Sequence, residues 1–247
     1  MTKNFAHRGF SSRYPENTML AFRKAVEEGC DGIELDAQLT RDGEVVIIHD
    51  ENLKRTTGRS GFVRDFTLQE LRQFDASCGM SGELGINPIP TLREYFEFAC
   101  KQAITTNIEL KNSVIPYEGL EEKVLSLMQE YRLRDRIILS SFNHQSIVKC
   151  KKLLPQIRCG FLSGCWQLQA GAYSEQYGMD VYNPVYHFLT EENLSELRQH
   201  HIDICTWTVN EEADMKRLVD AGVYAIITNC PDVLKRILPD RATERRG

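Results

Sequence analysis

A repeat of texture, rather than of residues, constrains this chain most. Short apolar runs at 3–7, 31–38, 104–110, 136–141, 157–162, 180–183, 202–208 and 223–228 predict strands. Most are separated by longer segments whose apolar residues recur at helical spacing: 17–29 ("NTMLAFRKAVEEG"), 91–102, 117–133, 190–201 and 211–222. A last helix is predicted at "PDVLKRIL", with Pro231 in its first turn. Strands joined through helices imply a parallel sheet with right-handed crossovers. Eight such units in 247 residues predict an α/β fold, a closed (β/α)8 TIM barrel, with an open doubly wound sheet as the competing arrangement.

Local punctuation fits this frame. Gly29 and Gly222 follow helical runs, where a left-handed C-cap is wanted. Thr190 is a candidate N-cap with Glu191 and Glu192 in the first turn. Asn193 stands where a capping box would carry Glu or Gln, so that start signal is partial. Asp42-Gly43 between two extended runs predicts a hairpin that returns 44–49 antiparallel to 34–40. The stretch from about 50 to 90 is rich in Gly and turn residues and is expected to be a small insertion after the second strand, lying over one mouth of the barrel. No domain boundary is needed, so 1–247 is expected to be a single barrel domain. The tail "DRATERRG" lacks an apolar pattern and is expected to fray.

Composition narrows the function. A formal charge of -5 argues against a nucleic-acid partner. No run approaches the roughly 18 apolar residues of a membrane helix, and strand-like sequence starts too early to leave room for a leader. The charge run "KCKKLLPQ" (149–156) reads as a solvated helix end, so no stable membrane association is expected. The eight cysteines are scattered without a Cys-x-x-Cys pair and are expected to be buried free thiols of a cytoplasmic protein.

Chemistry in such a barrel gathers at the C-terminal strand ends. The first strand ends in His7-Arg8, and the hairpin return ends in His49-Asp50. Glu34 and Asp36 on the second strand, and Glu109 and Lys111 on the third, are two apart and so share a side. The fourth strand ends in Ser140, Ser141 and Phe142, the seventh in "TWTVN". Taken singly, each group has a structural role available. A histidine can serve as a donor, Glu109 and Lys111 can neutralise each other, and Arg8 can lock to Glu16. Together, seven charged or titratable groups at a barrel centre are costly without ligands. Glu34, Asp36 and Glu109 offer oxygen donors only, which suits one hard divalent cation, Mg2+ or Ca2+. Arg8 and Lys111 suit anionic oxygens, and His7 and His49 suit general acid–base work. This inventory describes a site for cleaving a phosphate ester.

At this point the chain resembles the glycerophosphodiester phosphodiesterase family. The matches run in order: "HRG" (7–9), "PENT" (15–18), "ELD" (34–36), "TRDGEVVIIHD" (40–50), "RTTG" (55–58), "IPTL" (89–92), "IELK" (108–111), "SSF" (140–142), "WTVN" (207–210) and "GVYAIIT" (222–228). The resemblance implies that His7 and His49 are catalytic, that Glu34, Asp36 and Glu109 hold the metal, and that Arg8 and Lys111 hold the phosphate. It implies hydrolysis of small deacylated phospholipids, such as glycerophosphocholine and glycerophosphoethanolamine, to glycerol 3-phosphate and an alcohol. The attacking oxygen is then water or the substrate's own glycerol 2-hydroxyl. Phe142 and Trp207 become either an apolar wall beside the glycerol or barrel-mouth packing, and Glu16 either a brace for Arg8 or an acid near the metal. The family often carries Asp where this chain has Tyr224 and Asn229, and the expected consequence is confined to local loop structure. Rival readings are a lysophospholipase D acting on lipid-bearing substrates and a catalytically inactive phosphodiester-binding barrel. The preferred metal, the head group and the oligomeric state are not set by the sequence.

Overall fold

A computed structural model describes residues 1–80 and 84–239. Its strands are β1 (Lys3–His7), β2 (Gly32–Leu39), β3 (Val45–Ile47), β4 (Thr105–Leu110), β5 (Ile137–Ser141), β6 (Arg158–Ser163), β7 (Val181–Pro184), β8 (Asp203–Thr206) and β9 (Ala225–Thr228). All except β3 run parallel, and β1 pairs with both β2 and β9, which closes the sheet into a barrel. The closed (β/α)8 barrel predicted by the alternation is therefore the fold, and an open sheet is excluded. The short β3 lies outside the ring, antiparallel to β2 with Ala37 opposite Ile47, as the Asp42-Gly43 turn requires.

Among the described residues, helices follow the barrel strands at Met19–Glu28, Leu92–Ala99, Leu120–Glu130, His144–Leu153, Ala170–Gln176, Glu191–Gln199, Glu212–Asp220 and Pro231–Ile237. Their apolar faces pack on the outward side chains of the strands. Neighbouring helices also meet: Phe22 of the first packs edge-on against Tyr95 of the second at 4.9 Å, both fully buried. Each such side chain contributes about 1.5–3 kcal/mol from burial alone. Thr18 Oγ1 caps the first helix by accepting from Ala21 N, and Gly29 closes it in the left-handed region at φ 90°. At Thr190 the capping box is complete: Asn193 Oδ1 accepts from Thr190 N at 3.3 Å, so asparagine fills the place where Glu or Gln was expected.

The insertion after β2 and β3 is more ordered than its glycine content suggests. It holds short helices at Lys54–Thr57 and Leu68–Leu71, a 3-10 turn at Val63–Asp65, and an apolar core that includes Leu53, Val63, Leu71 and Ile89. Of the cysteines, 30, 150, 159 and 205 are buried, whereas 78, 100 and 165 are exposed on loops or a helix end, contrary to the expected burial. Among the described residues no helix is long and apolar enough to cross a membrane. The expected fraying of "DRATERRG" concerns residues outside those described.

Inside the barrel the side chains are layered. Phe5, Ile138, Val181, Cys205, Ala225 and Ile227 form an apolar floor. Above it, Asn107 Nδ2 donates to Asn183 Oδ1 at 3.0 Å and Ser140 Oγ donates to Asn107 Oδ1 at 2.9 Å. Two residues beyond Asn107 on the same face stands Glu109, where the polar mouth begins.

Candidate functional site

Strand register builds the centre of the mouth. Pairing of β1 with β2 sets His7 beside Glu34, and pairing of β2 with β4 sets Asp36 beside Glu109. One ligand atom from each of Glu34, Asp36 and Glu109 lies within 4.8 Å of the other two, and all three residues are buried. Arg8 and Lys111 stand over this acidic trio. Arg8 Nε is 3.4 Å from Asp36 Oδ2, and Lys111 Nζ is 3.0 Å from Glu109 Oε1.

The turn after β1 is made for this purpose. Arg8 and Gly9 both take left-handed backbone, at φ 56° and 82°. A Cβ on Gly9 would stand 2.7 Å from the backbone carbon of Ala21, so no other residue fits there. Arg8 lacks that freedom, and its conformation costs about 1 kcal/mol or more. It is held because its amide donates to Glu34 O at 2.9 Å and reaches Glu34 Oε2 at 3.2 Å. Asn17, also left-handed at φ 56°, turns its Nδ2 onto Asp36 Oδ2 at 2.8 Å.

Both imidazoles are tied at Nδ1 and present Nε2 to the site. His7 Nδ1 is 2.6 Å from Asn229 Oδ1, an acceptor, so this nitrogen carries the hydrogen. His49 Nδ1 is 2.6 Å from Asp50 Oδ1, while its Nε2 is 3.2 Å from Lys111 Nζ. Asp50 is gripped by Arg55, which also grips Glu16, and Glu16 accepts from Arg8 Nη1 at 2.9 Å. Glu16 is thus the brace for Arg8, and it stands apart from the acidic trio.

The electrostatics follow from burial and neighbours. Burial lowers the His7 pKa to about 4, assisted by the positive charge of Arg8. Burial would raise Asp36, but Arg8, His49 and Lys111 outweigh it and hold that carboxyl below its ordinary range. Glu34 and Glu109 are pushed up, first by burial and then by the negative charge of Asp36. Three carboxylates thus crowd together with two cations, and Asp36 Oδ1 is buried without a hydrogen-bond partner. An all-oxygen donor set with an unsatisfied buried oxygen fits a hard divalent cation.

The cavity above these groups has a volume of about 140 Å³. One side carries His7, Arg8, Glu34, His49 and Glu109; the other carries Phe142, Leu162, Trp207 and Ile227. Phe142 and Trp207 meet edge to face at 5.7 Å, and Trp207 Nε1 is anchored on Asn183 O at 2.9 Å. All nine residues singled out from the sequence thus gather at this mouth. Three neighbours were not assigned to the site there: Asn17, Arg55 and Asn229. The first two lie in the short matched motifs "PENT" and "RTTG", and Asn229 directly follows the last barrel strand, where the strand-end rule could have found it.

Asn229 is also a correction. It was expected to affect only loop structure, yet it fixes the His7 ring, because the end of β9 lies beside the end of β1. Tyr224 does lie away from the mouth, at the start of β9, where its hydroxyl receives hydrogen bonds from Lys3 and Arg158. Asn229→Ala is expected to lower kcat about ten- to hundred-fold with little change in melting temperature, since a freed imidazole loses its reactive orientation. Steady-state kinetics beside circular dichroism would check this; unchanged kcat would remove Asn229 from the site.

A closed barrel with acidic, imidazole and cationic groups converging on its C-terminal mouth defines a TIM-barrel enzyme. Residues 7–233 match the Glycerophosphoryl diester phosphodiesterase family, and the chain belongs to that family. A glycerophosphodiester phosphodiesterase from Bacillus altitudinis is 42% identical over 235 residues, covering 94% of this chain and 96% of that protein. One from Caldanaerobacter subterraneus subsp. tengcongensis is 40% identical over 229 residues, covering 93% and 94%. An Oleispira antarctica phosphodiesterase, solved in complex with the product sn-glycerol-3-phosphate, is similar with a TM-score of 0.84 at 29% identity, covering 94% of this chain and 95% of that one.

Proposed function

We propose that this glycerophosphodiester phosphodiesterase hydrolyses small deacylated substrates, such as glycerophosphocholine and glycerophosphoethanolamine, to glycerol 3-phosphate and the free alcohol, and that it requires a divalent cation. The observation that carries the reading is the convergence of three buried carboxylates, two oriented imidazoles and two cations around one small cavity. The sn-glycerol-3-phosphate held by the Oleispira relative supports the same product here.

Glu34, Asp36 and Glu109 would hold Mg2+ or Ca2+, which when bound supplies positive charge against the phosphoryl oxygens. Arg8 and Lys111 grip phosphate oxygens and stabilise the charge that builds on them. One imidazole, His7 or His49, takes a proton through Nε2 from the attacking oxygen, which is water or the glycerol 2-hydroxyl. The other returns a proton to the departing head-group oxygen. If the 2-hydroxyl attacks, a cyclic phosphate forms and water opens it, with the two imidazoles exchanging roles. Phe142 and Trp207 form the apolar wall for the glycerol carbons. The scattered thiols suit a reducing cytoplasm.

Glycerol 3-phosphate release measured by a coupled assay, with EDTA treatment and metal add-back, tests the reading. No release with either metal supplied would revive an inactive binding barrel. The cavity, at about 140 Å³, is smaller than the roughly 300–1,000 Å³ that encloses a drug-sized ligand, which favours the smaller, deacylated substrate. Glycerophosphocholine is therefore expected to be cleaved at least about ten-fold more efficiently than lysophosphatidylcholine (kcat/KM). Faster cleavage of the lipid would establish the lysophospholipase D reading instead.

A further inference from the structure

Arg55 lies outside the cavity lining, yet one guanidinium joins the partner of Arg8 to the partner of His49. Nη1 and Nη2 donate to Glu16 Oε2 and Oε1 at 2.7 and 2.8 Å. Nε and Nη2 donate to Asp50 Oδ2 and Oδ1 at 2.7 and 3.0 Å. Glu16 in turn receives Arg8 Nη1, and Asp50 receives His49 Nδ1. The chain of contacts therefore runs from a phosphate-facing arginine to a site histidine and crosses three separate segments. These are the turn after β1, the end of the hairpin return and the short helix Lys54–Thr57 of the insertion.

We propose that Arg55 is a positioning residue: its double fork sets the orientation of Arg8 through Glu16 and of His49 through Asp50, and holding it in place is one use of the insertion. Only a planar guanidinium presents two forks at once; an ammonium supplies the charge without the geometry. Arg55 is about half exposed, with 47% of its side chain accessible. Pairs at that exposure add little to stability, so the effect of removing it should fall on turnover and not on folding.

The insertion supplies its own control. Arg72 makes a similarly exposed two-oxygen contact to Glu94 on a barrel helix, both at 2.7 Å, but touches no site residue. Arg55→Gln is expected to lower kcat/KM for glycerophosphocholine about ten- to hundred-fold, while Arg72→Gln stays within about two-fold of the parent. Melting temperatures of the two variants should match within a few degrees. Arg55→Lys should recover only part of the loss. Equal losses in Arg55→Gln and Arg72→Gln, or full activity in Arg55→Lys, would overturn the proposal.

The proposal rests on the activity proposed above, so one readout avoids turnover. In imidazole 15N–1H spectra of the whole protein, Arg55→Gln should change the His49 ring signals, with loss of the protected Nδ1 proton, and leave those of His144 unmoved. Unchanged His49 signals would overturn the positioning role even if the parent showed no turnover. Absent turnover with the expected spectral change would count against the proposed reaction and not against Arg55.

Discussion

Alanine at His7 or at His49 is expected to lower kcat by roughly 10²–10⁴-fold while leaving the barrel folded. Each ring is held by one side-chain partner at Nδ1, His7 by Asn229 and His49 by Asp50, and neither is packed as core. Truncating His7 leaves Asn229 Oδ1 with the Ser11 hydroxyl at 3.0 Å, so no buried acceptor is stranded. Truncating His49 leaves Asp50 with the two hydrogen bonds from Arg55. Melting temperature should therefore move by only a few degrees. Because the two imidazoles serve one proton circuit, the double variant should fall little further than the worse single one. Near-normal kcat in either alanine variant would refute its role.

The sequence made the barrel legible because its two textures differ in period, and each strand–helix step has one favoured handedness. The acidic trio was legible for a related reason. Glu34 and Asp36 share a strand face, and knowing that β4 follows β2 in the ring suffices to bring Glu109 to them. What stayed hidden depends on contacts across loops. Arg55 meets Glu16 across 39 positions of sequence, and Asn229 meets His7 across 222. No periodicity reports such meetings. For Asn229 the inference went wrong because a departure from the family pattern was judged by its absence from the metal and catalytic sets, not by what adjoins the end of β1. Glu16 stayed ambiguous for the same reason: its partner Arg55 comes from the insertion, whose short helices break the larger rhythm.

Removal of the cation is expected to produce the other large effect, and the carboxylates supply a way to test it apart from activity. With EDTA, glycerol 3-phosphate release should fall to about 1% or less, and Mg2+ or Ca2+ should restore it. Saturating cation should also stabilise the fold. At 100 times its Kd a ligand contributes about 2.7 kcal/mol, worth about 5–10 °C in a chain of this size. Among the trio, Glu34 is the cleanest position to change. Asp36→Asn would cost the ion pair to Arg8, and Glu109→Gln would cost the buried Lys111 its ion pair. Among the described residues Glu34 Oε2 accepts from the Arg8 amide, which a glutamine carbonyl can do as well, and His7 Nε2 lies 3.8 Å from the same oxygen. Glu34→Gln removes one charge from a crowded acidic site, so without metal the variant should melt at or above the parent. With metal the order should reverse, because the variant lacks the ligand charge that the parent gains from. This crossing of melting temperatures separates a metal site from a merely strained acidic cluster. Equal metal-induced shifts in parent and Glu34→Gln would exclude Glu34 from the ligand set, and full activity of the parent in EDTA would exclude the cation from the reaction.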